Sequence, residues 1–170
     1  MMMRNYIIAI IMFNGLCGCI NKSQEEPNAS AETIRAIDKI KLTDLNGQAI
    51  NLEEHQGKTI FINFWATWCK PCIQEMPFIE EAQRTFQNEN ILFLLASSES
   101  AEQIEEFISN HNYNFNYVRI ENSEEMNVQA LPTTFIFNRK GELVFSETGF
   151  REWSEKQNID LIKKIVKQND

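Results

Sequence analysis

Two cysteines stand two residues apart in the segment FWATWCKPCIQEMP, which runs from Phe64 to Pro77. Cys69 and Cys72 are the only cysteines beyond residue 19 of this 170-residue chain. A disulfide between them closes a very small loop, and the stability gained from a disulfide falls as its loop shortens. Two thiols at this spacing are therefore better suited to disulfide exchange than to cross-linking a fold.

The sequence on either side of the pair predicts different roles for the two thiols. A run of β-formers precedes Cys69 and a helical pattern follows it, so Cys69 is expected at a helix N-terminus. The helix dipole and unpaired N–H groups stabilise an anion there and lower a cysteine pKa from ~8.5 to about 3.5–7.5. Pro71 suits the first helical turn. Cys72 lies deeper in the helix, so we expect Cys69 to attack a substrate disulfide and Cys72 to resolve the mixed disulfide.

Two charged residues lie close to the pair. Glu75 follows Cys72 by three residues and shares its helix face. Burial there would raise the pKa of the carboxyl and allow proton exchange with the thiol. The alternative is an exposed glutamate that only favours the helix dipole. Lys70 is interpreted either as a solvated side chain or as a residue that tunes the redox potential by stabilising the Cys69 thiolate.

Composition narrows the function classes. A formal net charge of −8 argues against a surface for nucleic acid, because no basic patch is available to neutralise phosphates. His55 and His111 are the only histidines. Structural zinc sites take four ligands, and no second C-x-x-C or H-x-x-x-H accompanies the first. We expect neither a metal site nor a cofactor.

The N-terminal sequence has the features of an export signal. Arg4 and the apolar run Tyr6–Phe13 match the charged and apolar regions of a signal peptide. The run is too short to span a bilayer, which takes about 20 apolar residues. An ordinary cleaved secretory peptide is one interpretation. The sequence LCGC at residues 16–19 resembles the bacterial lipobox, and this resemblance implies a lipid on Cys19 as the mature N-terminus.

Three segments follow from this interpretation. Residues 1–18 are the lipoprotein signal peptide, residues 19–36 a flexible polar tether, and residues 37–170 the folded domain. The tether contains one proline and no clear apolar stripe, although a helix in its later part is the alternative. A flexible chain of this length reaches roughly 20–25 Å, enough to hold a domain off a membrane.

The pattern beyond the tether predicts a hairpin, then β-α-β-α-β, then a second hairpin and a helix. The run Lys58–Ala66 is nearly continuous in β-branched and aromatic residues, which suits a strand buried on both faces of a mostly parallel sheet. The other predicted strands are the hairpin Ile40–Leu52 with its turn at Asn46–Gly47, Ile91–Ser97, Phe115–Ile120, Thr133–Phe137 and Glu142–Glu147. The predicted helices are Pro71–Asn88, Ser100–Asn110, Ser123–Val128 and Trp153–Lys167.

These residues resemble a known family. The run from Trp68 to Cys72, WCKPC, resembles the W-C-x-P-C motif of the thioredoxin superfamily. INFWATWCKPCIQEMP resembles the membrane-tethered TlpA/ResA-type thiol–disulfide oxidoreductases, and LPTTFIFNRKGEL resembles that family's cis-proline strand and following hairpin. The resemblance extends from about Lys39 to the C-terminal helix. It implies a thioredoxin-like three-layer α/β/α fold with a central mixed β-sheet and an N-terminal β-hairpin.

The resemblance also implies a substrate-binding region. Only about 5–6% of X–Pro bonds are cis, yet the family implies a cis bond at Pro132. Backbone groups of Leu131 would then pair with an extended substrate strand, with Thr133 beside them. Trp68 is expected at the rim of the groove with Pro71.

Two further positions refine the match. The buried aspartate that thioredoxin carries before its motif falls at Asn63 here, which cannot act as a base. The TlpA/ResA group instead carries a glutamate at the place of Glu75, which favours a catalytic role for this residue. Trp65 is expected in the core.

The function implied is an exported, membrane-anchored enzyme facing the periplasm that reduces protein disulfides through Cys69 and Cys72. Its expected partners are disulfide-bearing proteins and a membrane electron donor. Some family members act in cytochrome c maturation. A disulfide oxidase or isomerase of the same fold is the alternative, although DsbA-type oxidases carry an inserted helical domain for which residues 73–131 leave no room.

Three other classes fit the sequence less well. A peroxiredoxin-type peroxidase needs a threonine at the position that Ala66 occupies. A metal-binding lipoprotein would use Cys69 and Cys72 as ligands without the further ligands that zinc requires. A redox-inert binding module usually lacks one of the two cysteines, and both are present here.

Overall fold

The computed structural model describes residues 35–168. The predicted signal peptide, the predicted lipidation site Cys19 and nearly all of the predicted tether lie outside the described residues. Within this range none of the helices is long and apolar enough to cross a bilayer.

The described part of the chain forms seven strands, three α-helices and two 3-10 helices. The strands are β1 (Leu42–Thr43), β2 (Ala49–Ile50), β3 (Thr59–Phe64), β4 (Ile91–Ser97), β5 (Asn116–Ile120), β6 (Thr133–Phe137) and β7 (Leu143–Thr148). The helices are α1 (Lys70–Thr85), α2 (Ala101–Asn110) and α3 (Lys156–Lys167), with the 3-10 helices η1 (Ala36–Lys39) and η2 (Leu52–His55).

The seven strands form one mixed sheet in the order β2-β1-β5-β4-β3-β6-β7. Strand β4 pairs in parallel with β3 and with β5. The remaining neighbours pair antiparallel, including the predicted hairpins β1–β2 and β6–β7. The expectation of a mixed sheet with an N-terminal hairpin is confirmed, whereas the mostly parallel character inferred from β3 alone is not.

Strand β3 is the central element that leads to the cysteines. All six of its residues are buried, as its continuous apolar pattern predicts. Phe61 faces a core that also holds buried residues of all three α-helices. Ile60 and Ile62 face a second core on the opposite side of the sheet.

The two faces of the sheet are covered differently. The three α-helices pack on the Phe61 side, while the second core is closed by η1, η2 and the segment before β6. The segment Ser123–Val128, predicted as a short helix, forms turns instead. Asn127 has φ 57°, in the left-handed region, and this conformation interrupts a right-handed helix.

The ends of the helices follow their capping residues. Ser100 caps α2, and its side chain and that of Gln103 form the capping box. Helix α3 begins at Lys156 rather than at Trp153, because Glu155 has extended backbone angles and acts as the N-cap. Trp153 is nevertheless buried, in the loop between β7 and α3.

Candidate active site

Cys69 is the N-cap of α1, the position predicted for it. Its backbone is extended, and its carbonyl accepts the N–H of Ile73 at 3.1 Å, which closes the first helical turn. Pro71 lies in that turn, where a missing N–H costs no helical hydrogen bond. The two cysteines form a disulfide whose Cα atoms are 5.3 Å apart.

The two sulfurs differ in their access to solvent. In this oxidised form Cys69 is 4% exposed and Cys72 is completely buried. Lys70 and Pro71, which lie between them in sequence, are exposed. Of the two sulfur-bearing residues only Cys69 therefore has any contact with solvent, and the order of attack stays a prediction.

Glu75 is completely buried one turn after Cys72, so the alternative of an exposed glutamate is wrong. Its Oε1 accepts a hydrogen bond from Asn63 Nδ2 at 2.5 Å, and its Oε2 accepts one from the backbone N–H of Arg151 at 2.9 Å. Burial raises the pKa of Glu75 to about 7, and the two hydrogen bonds oppose this rise because they favour the ionised form. The carboxyl is thus able to take up or release a proton near neutral pH.

Asn63 occupies the place at which the family resemblance puts a buried aspartate. Its amide donates to Glu75 and also to Thr134 Oγ1, at 3.0 Å. Asn63 is completely buried on β3. The residue therefore orients the carboxylate that lies one turn after Cys72 on α1, a role that the sequence did not reveal.

The loop before Cys69 is held by a carboxylate that the sequence analysis missed. Glu99 accepts hydrogen bonds from the backbone N–H of Thr67 at 2.7 Å and from its hydroxyl at 2.6 Å. Ser97 donates to the same carboxylate at 3.0 Å. Thr67 and Glu99 follow the carboxyl ends of the parallel strands β3 and β4, which is the signal that would have placed them together.

The peptide bond between Leu131 and Pro132 is cis, as the family resemblance implies. Pro132 directly precedes β6, and the first residue of that strand, Thr133, pairs with Phe64 at the end of β3. The hydroxyl of Thr133 donates to the carbonyl of Ala130 at 2.7 Å. It also lies 2.9 Å from the hydroxyl of Thr148. The buried side chain of Thr133 thus connects the segment before Pro132 to β7.

Trp68, which precedes Cys69 in the chain, and Leu131 border a pocket of about 220 Å³. Trp68 is 74% exposed, a high value for so large an apolar side chain, and its predicted role at the rim of a substrate groove stays a prediction. Trp65 is buried in the core beneath it. The pocket is also lined by Phe64, Val128 and further residues around them.

The structure brings most of the predicted site residues to one end of the sheet. Cys69, Cys72 and Glu75 share α1, and Leu131 lies with Trp68 at the neighbouring pocket. Within residues 35–168, no group of three or more His, Cys, Asp or Glu side chains is arranged to hold a metal ion.

The chain is similar in sequence to proteins of known family. A family model described as the AhpC/TSA family matches residues 35–146. The thiol-disulfide oxidoreductase ResA of Bacillus thuringiensis subsp. konkukian is 28% identical over 169 residues, which cover 94% of this chain and 96% of the relative. ResA of Bacillus cereus is 32% identical over 130 residues, which cover 74% of this chain and 73% of the relative.

A solved structure shares the fold. The thioredoxin domain of a thiol-disulfide oxidoreductase from Bacteroides vulgatus matches with a TM-score of 0.61 at 19% identity, covering 75% of this chain and 92% of that one. The chain therefore belongs to the AhpC/TSA family and is a homologue of the ResA thiol-disulfide oxidoreductases, with Cys69 and Cys72 as its C-x-x-C pair.

Proposed function

We propose that this protein is a lipid-anchored, extracytoplasmic thiol–disulfide oxidoreductase that reduces disulfides in other proteins. The observation that carries the proposal is the Cys69–Cys72 disulfide at the start of α1, one turn before the buried carboxyl of Glu75. This combination supplies a sulfur at the helix N-terminus with slight exposure, a fully buried sulfur and a group that exchanges protons near pH 7.

The reducing reaction has two displacement steps. The Cys69 thiolate attacks one sulfur of the substrate disulfide, which breaks as the Cys69–substrate bond forms, and the departing substrate thiolate takes up a proton. Glu75 then takes the proton from Cys72, whose thiolate attacks Cys69 Sγ. The bond between Cys69 and the substrate breaks as the Cys69–Cys72 disulfide forms, and the second substrate thiolate takes the proton held by Glu75 and leaves, so that the substrate departs as a dithiol. Two electrons have passed to the substrate.

Residues around the pair take part in substrate binding. Backbone groups of Leu131, beside Pro132, pair with an extended segment of the substrate. Trp68 and Pro71 are exposed next to Cys69 and contact the residues that flank the substrate cysteine. Lys70 is also exposed, at the start of α1, where its charge favours the thiolate form of Cys69.

The setting of the enzyme follows from the N-terminal sequence. Lipid on Cys19 anchors it to a membrane with the domain facing the periplasm, where a membrane electron donor reduces the Cys69–Cys72 disulfide again. The TlpA/ResA resemblance makes apocytochrome c one protein substrate to test. The ResA names of the relatives support the reducing direction over oxidation or isomerisation.

An insulin-reduction assay tests the chemistry. Wild-type protein is expected to accelerate insulin reduction by dithiothreitol, and Cys69→Ser is expected to abolish the acceleration. Glu105→Ala on the exposed surface of α2 serves as the control, since it leaves both thiols and the residues around them in place and is expected to keep the wild-type acceleration. An unchanged rate in Cys69→Ser would refute the proposal.

The equilibrium reduction potential of the pair against glutathione tests the direction. A potential near that of thioredoxin, about −270 mV, is expected for a reductant. A potential near that of DsbA, about −120 mV, would assign the protein to disulfide oxidation. Metal analysis of the same purified sample tests the metal-binding alternative.

A further inference from the structure

The loop between β7 and α3 supplies one of the two hydrogen bonds to the Glu75 carboxylate. The donor is the backbone N–H of Arg151, at 2.9 Å from Oε2. The two residues are 76 positions apart, so this contact depends entirely on how the loop is held. The side chain of Arg151 makes further contacts, with β7, with α3 and with two aromatic rings.

The guanidinium of Arg151 connects β7, the loop and α3. Its Nε donates to Oδ1 of the buried Asn158 at 2.6 Å, and its Nη1 pairs with Glu147 on β7. The centre of the guanidinium lies 5.3 Å from the ring centroids of both Phe145 and Trp153, within the range of a cation–π contact. The side chain of Arg151 is thus in contact with four residues, namely Asn158, Glu147, Phe145 and Trp153.

The same loop is attached at its two ends. The N–H of Gly149 donates to the carbonyl of Pro132 at 2.8 Å, which ties the start of the loop to the cis-proline segment. Asn158 donates from Nδ2 to the carbonyl of Glu152 at 2.8 Å, which ties the end of the loop to α3. The middle of the loop lies between these two attachments. Among the hydrogen bonds and ion pairs described for residues 35–168, only those of the Arg151 side chain connect it to both β7 and α3.

We propose that Arg151 is a positioning residue, whose side chain holds its own backbone N–H against the Glu75 carboxylate and thereby controls the ionisation of Glu75. The inference rests on the proposed function of Glu75 in proton exchange with Cys72. If the Arg151 side chain is removed, the loop loses its links to β7 and α3, and the backbone N–H of residue 151 no longer stays aligned with Oε2 of Glu75. The ionised carboxylate then loses a donor, and a hydrogen bond to a charged group contributes more than a neutral one.

Other groups around Glu75 must be separated from this effect. Asn63 on β3 and Arg151 donate hydrogen bonds to the carboxylate, and the charge of Glu147 on β7 disfavours ionisation. The indole N–H of Trp153 also favours the ionised form, although it makes no hydrogen bond of ordinary geometry. On α1, Cys72 is the nearest titratable neighbour in sequence and is held in the disulfide in the oxidised protein.

The first test measures Glu75 directly in the oxidised full-length protein, in which neither thiol titrates. Carbon-13 NMR of glutamate-labelled protein follows the carboxyl through a pH titration, and Glu75→Gln assigns the signal. Arg151→Ala is expected to move the midpoint of Glu75 upward by about one pH unit, from the loss of one charge-assisted hydrogen bond. The exposed Arg84, which pairs with Glu80 on α1, provides the control: Arg84→Ala is expected to leave the midpoint unchanged.

A second variant separates positioning from charge. Arg151→Lys keeps the positive charge near Glu147 but lacks the planar fork that bonds Asn158 and stacks on the two rings. Positioning predicts an upward shift in this variant as well. An unchanged midpoint in Arg151→Lys would overturn the proposal, because the charge alone would then explain any shift in Arg151→Ala.

The exchange reaction gives the functional readout. At pH 7 the resolution of a preformed mixed disulfide by Cys72 is expected to slow about fivefold in Arg151→Ala, because a midpoint raised by one unit leaves about a tenth of the carboxyl ionised instead of half. At pH 9 the two rates are expected to converge. Equal slowing at both pH values would indicate general damage to the fold and would overturn the proposal. The NMR midpoint needs no catalysis, so failure of the proposed function remains distinguishable.

Discussion

At the scale of single residues, the two sulfurs and the Glu75 carboxyl differ from ordinary surface groups through burial. The sequence was sufficient to predict that Cys69, Cys72 and Glu75 lie together at the start of one helix, because their spacing shows it. Spacing alone did not decide whether Glu75 is buried, and only the family resemblance favoured a role for it. The sequence was not sufficient for Asn63 or Arg151, which reach the same carboxylate from 12 and 76 residues away. Contacts over such separations depend on the sheet order, which no local pattern contains.

Glu75 is expected to make the stability of the oxidised protein depend on pH. Its pKa is about 7 in the folded protein against an ordinary value of 4.5, so the folded state binds the proton more tightly. Its contribution to stability is therefore full below about pH 4.5 and is lost as the pH rises through 7, a change of roughly 3 kcal/mol. Glu75→Gln removes this dependence.

Urea unfolding of the oxidised protein between pH 4.5 and 8 measures this effect. The difference in unfolding free energy between Glu75→Gln and wild type is expected to move in favour of the variant as the pH rises. Glu80→Gln on the same helix is the control, because Glu80 is more exposed than Glu75 and lies five residues further along. A difference that is constant over this range would show that Glu75 titrates at its ordinary pKa.

At the scale of elements, the carboxyl ends of the parallel strands β3 and β4 place Thr67 beside Glu99. The bounds of two strands were predicted correctly, since Ile91–Ser97 and Thr133–Phe137 coincide with the predicted runs, and those of β3, β5 and β7 differ by one or two residues. The turns at Ser123–Val128 were not, because their pattern is compatible with a helix and the left-handed Asn127 is not visible in it. Two of the contacts that the sequence did not reveal, those of Glu99 and Arg151, lie in loops that follow strands.

Glu99→Ala is expected to destabilise the protein by about 2 kcal/mol, because it leaves the Thr67 N–H without its acceptor next to Cys69. It is also expected to increase protease cleavage in the loop 65–69, which denaturant unfolding with limited proteolysis would detect. Glu102→Ala on the exposed surface of α2 is the matched control and is expected to change little. Equal destabilisation by the two variants would refute a special role for Glu99.

At the scale of the whole molecule, the fold places the reacting groups entirely within residues 35–168. The order of elements and the mixed sheet were predictable from the pattern and the family resemblance. The unequal covering of the two faces was not, because the 3-10 helices η1 and η2 have too few residues for a periodic pattern. The proposed anchor and the site lie in separate parts of the sequence.

Cys19→Ser is expected to move the protein from the membrane fraction to the soluble fraction of the cell. Its insulin-reducing activity in solution is expected to stay within about twofold of the wild-type activity, since a lipid anchor contributes to membrane binding and not to disulfide exchange. Cys17→Ser is the matched control and is expected to leave the protein in the membrane fraction. Fractionation with immunoblotting and lipid labelling measure both. A membrane-bound Cys19→Ser protein would contradict lipidation at this residue.

The most direct test of the central claim compares which cysteine captures a substrate. Reduced Cys72→Ser and reduced Cys69→Ser are mixed in turn with a disulfide-bearing peptide at pH 7, and the covalent adducts are followed by mass spectrometry. We predict a rapid mixed disulfide through Cys69 in Cys72→Ser and at least about tenfold slower adduct formation in Cys69→Ser. The reason is that Cys69 is the N-cap of α1, where a thiolate is stabilised, whereas Cys72 is completely buried. Equal rates in the two variants, or faster capture by Cys72, would contradict the account.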